Sequence, residues 1–136
     1  MVSGVAGQPP GDGALGGRFG VEVIPDAGVA GPLVLVLAGE LDHDTAEPLR
    51  DALRAGVDHA SGRVLVDCAG LQFCDSTGLN VLLRARLDAK ESGCRLELAA
   101  LQPPVARMFE ITGADTVFQI HESLEAALAD ERRPET

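Results

Sequence analysis

An α/β domain built on a mixed, mostly parallel β-sheet is what this 136-residue chain predicts, and three observations carry that reading. Apolar runs of strand character alternate with amphipathic segments of helical period, which implies parallel strands joined by right-handed crossovers. Leu33-Val34-Leu35-Val36-Leu37-Ala38 and Val64-Leu65-Val66 are apolar without a break, as expected of strands covered on both faces. An earlier, alternating stretch supplies an antiparallel first strand with one wet face. The expected order is β-β-α-β-α-β-α-β-α, about four helices covering one sheet in a single domain with one core.

Residues 1–17, with Pro9-Pro10 and Gly11-Asp12-Gly13, have little to bury and are expected to form a flexible Gly-rich tail ahead of a domain spanning 18–130. Within 18–24, Phe19, Val21 and Val23 alternate as on an edge strand, and Pro25-Asp26-Ala27-Gly28 is turn chemistry. After the second strand, Asp44 and Glu47 stand at capping-box spacing, and Leu49, Leu53 and Val57 form a helical stripe. Gly56 weakens that helix near its end, and Ser61-Gly62 leads into the third strand. The next helix begins near Leu79, with Leu79, Leu82, Leu83 and Leu87 on one face and Gly93 as a left-handed C-cap. Residues 95–100 read as a strand. Pro103-Pro104 opens a helix carrying Val105, Met108, Phe109 and Thr112, which Gly113 stops. Residues 117–120 read as a short strand, Ser123 as the cap of a last helix using Leu124, Ala127 and Leu128, and 131–136 as a frayed, charged end.

Composition excludes several classes of function. The chain is 46% hydrophobic and 24% charged, which is globular, and its 3% aromatic content leaves the core to aliphatic packing. Eleven basic against twenty-one acidic residues give a net charge of −10, which argues against binding nucleic acid or anionic membranes. A partner with a basic contact surface is the better electrostatic match. No apolar run approaches the roughly 20 residues that span a bilayer. The amino end lacks the pattern of a secretory signal, so the cytoplasm is the expected location. Cys68, Cys74 and Cys94 are odd in number and lack zinc-site spacing; they read as buried, reduced thiols, with neither metal nor cofactor expected.

One stretch concentrates polar chemistry: Phe73-Cys74-Asp75-Ser76-Thr77-Gly78-Leu79, where the third strand turns into a helix. Ser76 has three readings, as a helix cap, a nucleophile or a regulated hydroxyl. Cys74-Asp75-Ser76-Thr77-Gly78 lacks the first glycine of the G-x-S-x-G nucleophile elbow. An acyl-transfer serine also needs a base. His59 and His121 are expected at the surface, and His43, though it follows the second strand, has no partners in the usual order. An enzyme is therefore not expected. The nucleotide-binding glycine motifs are absent, and Asp75 would repel a bound phosphate. A cap at Ser76 accounts for the local pattern, with Asp75 and Thr77 equally able to serve.

Two segments together add to this. Gly39-Glu40-Leu41-Asp42-His43-Asp44-Thr45-Ala46 and Phe73-Cys74-Asp75-Ser76-Thr77-Gly78-Leu79 closely resemble the signature segments of the bacterial anti-sigma-factor antagonists, which are single STAS domains. Pro104-Val105-Ala106-Arg107-Met108-Phe109, followed by Thr112-Gly113, resembles the family's third helix, so the likeness extends over about residues 18–130. The resemblance implies that Ser76, or alternatively Thr77, is phosphorylated by an anti-sigma factor that is itself a serine/threonine kinase. It also implies that the unphosphorylated form binds this kinase and frees the sigma factor, and that a PP2C-type phosphatase reverses the modification. Asp42, His43, Asp75, Ser76, Thr77, Gly78 and Leu79 would then form the partner-binding surface of a monomer or weak dimer. Thr77 stands where a second serine is frequent, and Cys74 where Met is. A scaffold-type STAS module in a larger signalling complex is the alternative.

Overall fold

The computed structural model of the protein describes residues 19–24, 32–59 and 62–130. The expected tail at 1–17, the turn at 25–28 and the charged end at 131–136 lie outside the described residues. The elements are β1 (Phe19–Ile24), β2 (Leu33–Leu41), α1 (Ala46–His59), β3 (Arg63–Cys74), α2 (Ser76–Glu91), β4 (Arg95–Ala99), α3 (Pro103–Thr112), a 3-10 turn (Ala114–Thr116), β5 (Ile120–His121) and α4 (Leu124–Ala129). The five strands lie in sequence order across one sheet. β1 runs antiparallel to β2, and every later pair is parallel. This is the mixed sheet that the alternation of runs and stripes predicts.

Strand alternation divides the core. Leu35, Leu37, Val64, Val66, Leu96 and Leu98 point to the face covered by α1, α2 and α3. Val34, Leu65 and Ala99 point to the other, where Ala127 of α4 packs on them. The unbroken apolar runs are thus explained by two covered faces. Leu49, Leu53 and Val57 of α1 are 0%, 1% and 8% exposed. Each such burial contributes about 1.5–3 kcal/mol, so the three together outweigh a cap of about 1 kcal/mol, and packing sets the helix.

Several boundaries differ from expectation. α1 starts at Ala46, one residue later than a cap at Asp44 would start it. α2 starts at Ser76 and buries Gly78, Leu79, Val81, Leu82, Ala85 and Ala89. Leu87, expected on that face, is 50% exposed, because small residues at 78, 85 and 89 turn the packed stripe away from it. Residues 117 and 118 form no strand: the 3-10 turn after Gly113 aims Phe118 inward, where its ring stands 5.8 Å from that of Phe109. Only Ile120 and His121 pair with β4. Ala100, at φ 63°, closes β4 one residue early.

The helix ends otherwise follow the sequence. Gly93 (φ 77°) puts its own N–H on the Lys90 carbonyl at 3.1 Å and that of Cys94 on Ala89 at 2.8 Å, a Schellman pair. Gly113 (φ 82°) stops α3, and the Ser123 hydroxyl accepts the Ala126 amide at 3.0 Å.

Candidate functional site

The two polar segments meet at the carboxyl end of the sheet. Leu41 and Cys74 are register partners at the ends of β2 and β3, and the Asp75 amide donates to the Leu41 carbonyl at 3.1 Å. The loop after β2 and the start of α2 are thereby fastened together. Gly78 makes the contact close: a Cβ there would lie 2.6 Å from Cγ of Leu41 and 3.1 Å from Sγ of Cys74. Only glycine permits this approach of helix to strand.

Asp42 organises its own turn. Its Oδ1 accepts the amides of Asp44 (3.0 Å) and Thr45 (3.2 Å), while the Thr45 hydroxyl accepts the Asp42 amide at 2.8 Å and donates to the Glu40 carbonyl at 2.9 Å. This Asx turn, in place of an Asp44–Glu47 capping box, leads into α1. His43 and Asp44 are exposed on its outer side, and Asp42 is half-buried.

Asp75, rather than Ser76, caps α2. Its backbone is extended (φ −99°, ψ −173°), and its Oδ1 accepts the Gly78 amide at 3.0 Å. Ser76 is therefore the first helical residue. Its side chain is exposed, and its hydroxyl has no hydrogen-bond partner among the described residues. Thr77 is half-buried and lines a groove of about 760 Å³ between α1 and α2, together with Arg50, Arg54, Asn80 and Arg84. Leu79 is buried in the core and offers no contact surface; it holds the helix in place. The expected site residues thus cluster, with Leu79 and Gly78 beneath and Asp42, His43, Asp75 and Ser76 towards solvent.

Chemistry around the serine is limited. Cys74 is buried, and burial, aided by the Asp75 charge, pushes its thiol up to about 12. Cys68 is shifted further upward by complete burial. Neither is a reactive thiolate. Among the described residues no group of His, Cys, Asp and Glu could hold a metal ion, and no helix is long and apolar enough to cross a membrane.

His121 is not at the surface as expected. Its ring is 8% exposed and lies 2.9 Å from Oε1 of Glu97. Glu97, a buried acid in the apolar strand β4, was not singled out by sequence reading. Its Oε1 accepts from Arg63 at 2.8 Å, its Oε2 lies 3.4 Å from Arg95, and Arg63 also donates to the Ala127 carbonyl at 2.9 Å. Burial pushes the Glu97 carboxyl up, but hydrogen bonds from Arg63 and His121 and the charges of Arg63 and Arg95 outweigh it and hold it below the ordinary carboxylate range. This network ties β3, β4, β5 and α4 together. The one signal for it in the sequence was an acid flanked by apolar residues, Leu96-Glu97-Leu98.

Comparison with known proteins agrees with this architecture. The profile of the family described as Mlab, STAS domain, matches residues 28–126. BtrV of Bordetella bronchiseptica, classed with the anti-sigma factor antagonists, is 35% identical over 101 residues, covering 74% of this chain and 87% of that protein. The anti-sigma F factor antagonist of Paenibacillus polymyxa is 30% identical over 105 residues, covering 74% of this chain and 86% of its own. The crystal structure of an anti-sigma factor antagonist from Mycobacterium paratuberculosis shares the fold at TM-score 0.72 and 24% identity, over 82% of this chain and 95% of that one. With Asp42 and Ser76 just beyond the ends of neighbouring strands of such a sheet, the chain belongs to the STAS-domain family of anti-sigma factor antagonists.

Proposed function

We propose that the protein is a phosphorylation-controlled anti-sigma factor antagonist without catalysis of its own. The unphosphorylated form binds an anti-sigma factor that is a serine/threonine kinase, so that the sigma factor is released. The kinase transfers the ATP γ-phosphoryl group to Oγ of Ser76, whose proton leaves, and ADP is the other product. A PP2C-type phosphatase hydrolyses the ester and restores the binding form.

The observation that carries this reading is the separation of tasks at the start of α2. Asp75 caps the helix, so the exposed Ser76 hydroxyl has no structural duty. It can accept a phosphoryl group without loss of the fold. Ser76 is favoured over Thr77 because Thr77 is half-buried against the α1–α2 groove.

Phosphorylation adds about −1.5 to −2 charge at a helix N-terminus. The helix dipole favours that by roughly 0.3–1 kcal/mol. At an interface, the same group must lose water beside the Asp75 carboxylate. A penalty of about 3 kcal/mol there weakens binding of order 100-fold.

Incubation with a cognate anti-sigma kinase and ATP, followed by mass-spectrometric mapping, tests the assignment. Phosphate is expected on Ser76. Phosphate only at residues other than Ser76 and Thr77, or none with a kinase that binds, would sink it.

A further inference from the structure

We infer that Phe73 is the apolar anchor by which the unphosphorylated protein holds its kinase partner, an assignment that rests on the function proposed above. The observation is a break in the β2–β3 register. Gly39 is opposite Leu71, but Glu40 is opposite Phe73, so Gln72 is an extra residue in β3. In a regular strand Leu71 and Phe73 share a face, and Cys74 takes the other. Here Leu71 (0% exposed) and Cys74 (5%) both enter the core under α1 and α2, and Phe73 is 48% exposed. A bulge of this kind re-aims a side chain at the cost of ladder hydrogen bonds.

The chain has four phenylalanines and no Trp or Tyr. Phe109 and Phe118 are buried against one another, and Phe19 packs on the core. Phe73 alone is turned out, two residues before the cap of the switch helix. Backbone dimensions place its Cα within about 11 Å of that of Ser76. Its surroundings are acidic, with exposed Glu40 as its register partner and Asp42 and Asp75 on the flanking turns. The matching partner surface is an apolar socket rimmed by Lys or Arg. Aromatic residues, Phe included, are enriched in the apolar cores of interfaces within a polar rim, and a few such anchors carry most of the binding energy. The arrangement also explains how a phosphate on Ser76 acts: it sits on the rim of the same contact.

Two variants test this. Phe73→Ala should melt close to the wild type and bind the ATP-loaded kinase about 10- to 100-fold more weakly. Phe73→Trp places the sole tryptophan in the chain at the contact, and its emission, after subtraction of the kinase's own, should shift to the blue on binding. The shift should be absent in Phe73→Trp, Ser76→Asp. Wild-type binding with unchanged tryptophan emission, and a Phe73→Ala affinity within twofold, would overturn the anchor while leaving the proposed function standing. A blue shift in the isolated chain that grows with concentration would assign the patch to a second copy and overturn it too. No binding by the unphosphorylated wild type would fell the functional reading itself.

Discussion

Leu41 and Gly78 are locked together: Cγ and Cδ2 of the leucine lie 2.6 and 2.7 Å from where a methyl group on Gly78 would stand. The contact joins the last residue of β2, next to Asp42, to the first turn of the helix that carries Ser76. With the Asp75 amide bond to the Leu41 carbonyl, it joins the two signature segments. Replacement of a helical glycine by alanine ordinarily gains about 0.5–1 kcal/mol. Here overpacking, worth about 1–3 kcal/mol, opposes it and wins. Gly78→Ala should lower Tm by several degrees; a variant as stable as the wild type would show that the contact is looser than described.

The helix cap and the proposed phosphoacceptor are adjacent residues, and single substitutions should separate their roles. Asp75→Ala removes the acceptor of the Gly78 amide and should cost about 1 kcal/mol in urea unfolding. Ser76→Ala removes an exposed hydroxyl with no hydrogen-bond partner among the described residues and should lie within about 0.5 kcal/mol of the wild type. The reverse order would return the cap to Ser76.

Glu97 should give the fold an acid-sensitive component. Its folded-state pKa is lowered from 4.5, so its contribution is complete above that value and is lost as pH falls through the lower folded value. Glu97→Gln should flatten the stability profile in that acid range. It should also cost about 1–3 kcal/mol at neutral pH, where Arg63 and His121 lose their charged partner. An unchanged acid limb in Glu97→Gln would locate the sensitivity elsewhere.

The three cysteines should be silent in the native protein. Cys68, Cys74 and Cys94 are all buried and all shifted upward, chiefly by burial. A disulfide-exchange reagent at pH 8 should find no fast thiol until denaturant is added, and then three. Rapid native reaction at Cys74 would mean that the start of α2 opens readily.

The sequence carried the architecture because periodicity is local. Unbroken runs at 33–38 and 64–66, the stripe at Leu49, Leu53 and Val57, and the stops at Gly93 and Gly113 each reflect a few neighbouring residues. What was not legible depended on distant partners. His121 looked like a surface residue because Glu97 and Arg63, which bury it, are 24 and 58 positions away. Three candidate caps stood side by side at 75–77. The structure gives the cap to Asp75, whose extended backbone lets its carboxylate reach the Gly78 amide, while β3 runs to Cys74 with extra residues relative to β2 at two places, one of them Gln72. That same residue turned out Phe73, and a single strand gives no sign of its partner's register. The Asp42 turn was half legible: its acids were evident, but Thr45 as its closing hydroxyl was not.

On the function proposed above, one phosphate at Ser76 sets partner choice without changing the fold. Affinity for the ATP-bound anti-sigma kinase, measured by calorimetry for the unphosphorylated chain, its Ser76-phosphorylated form and Ser76→Asp, tests it most directly. The phosphorylated form should bind with a Kd about 100-fold weaker, and Ser76→Asp should weaken binding in the same direction, with unchanged far-UV circular dichroism. Equal affinities for the phosphorylated and unphosphorylated proteins would contradict it.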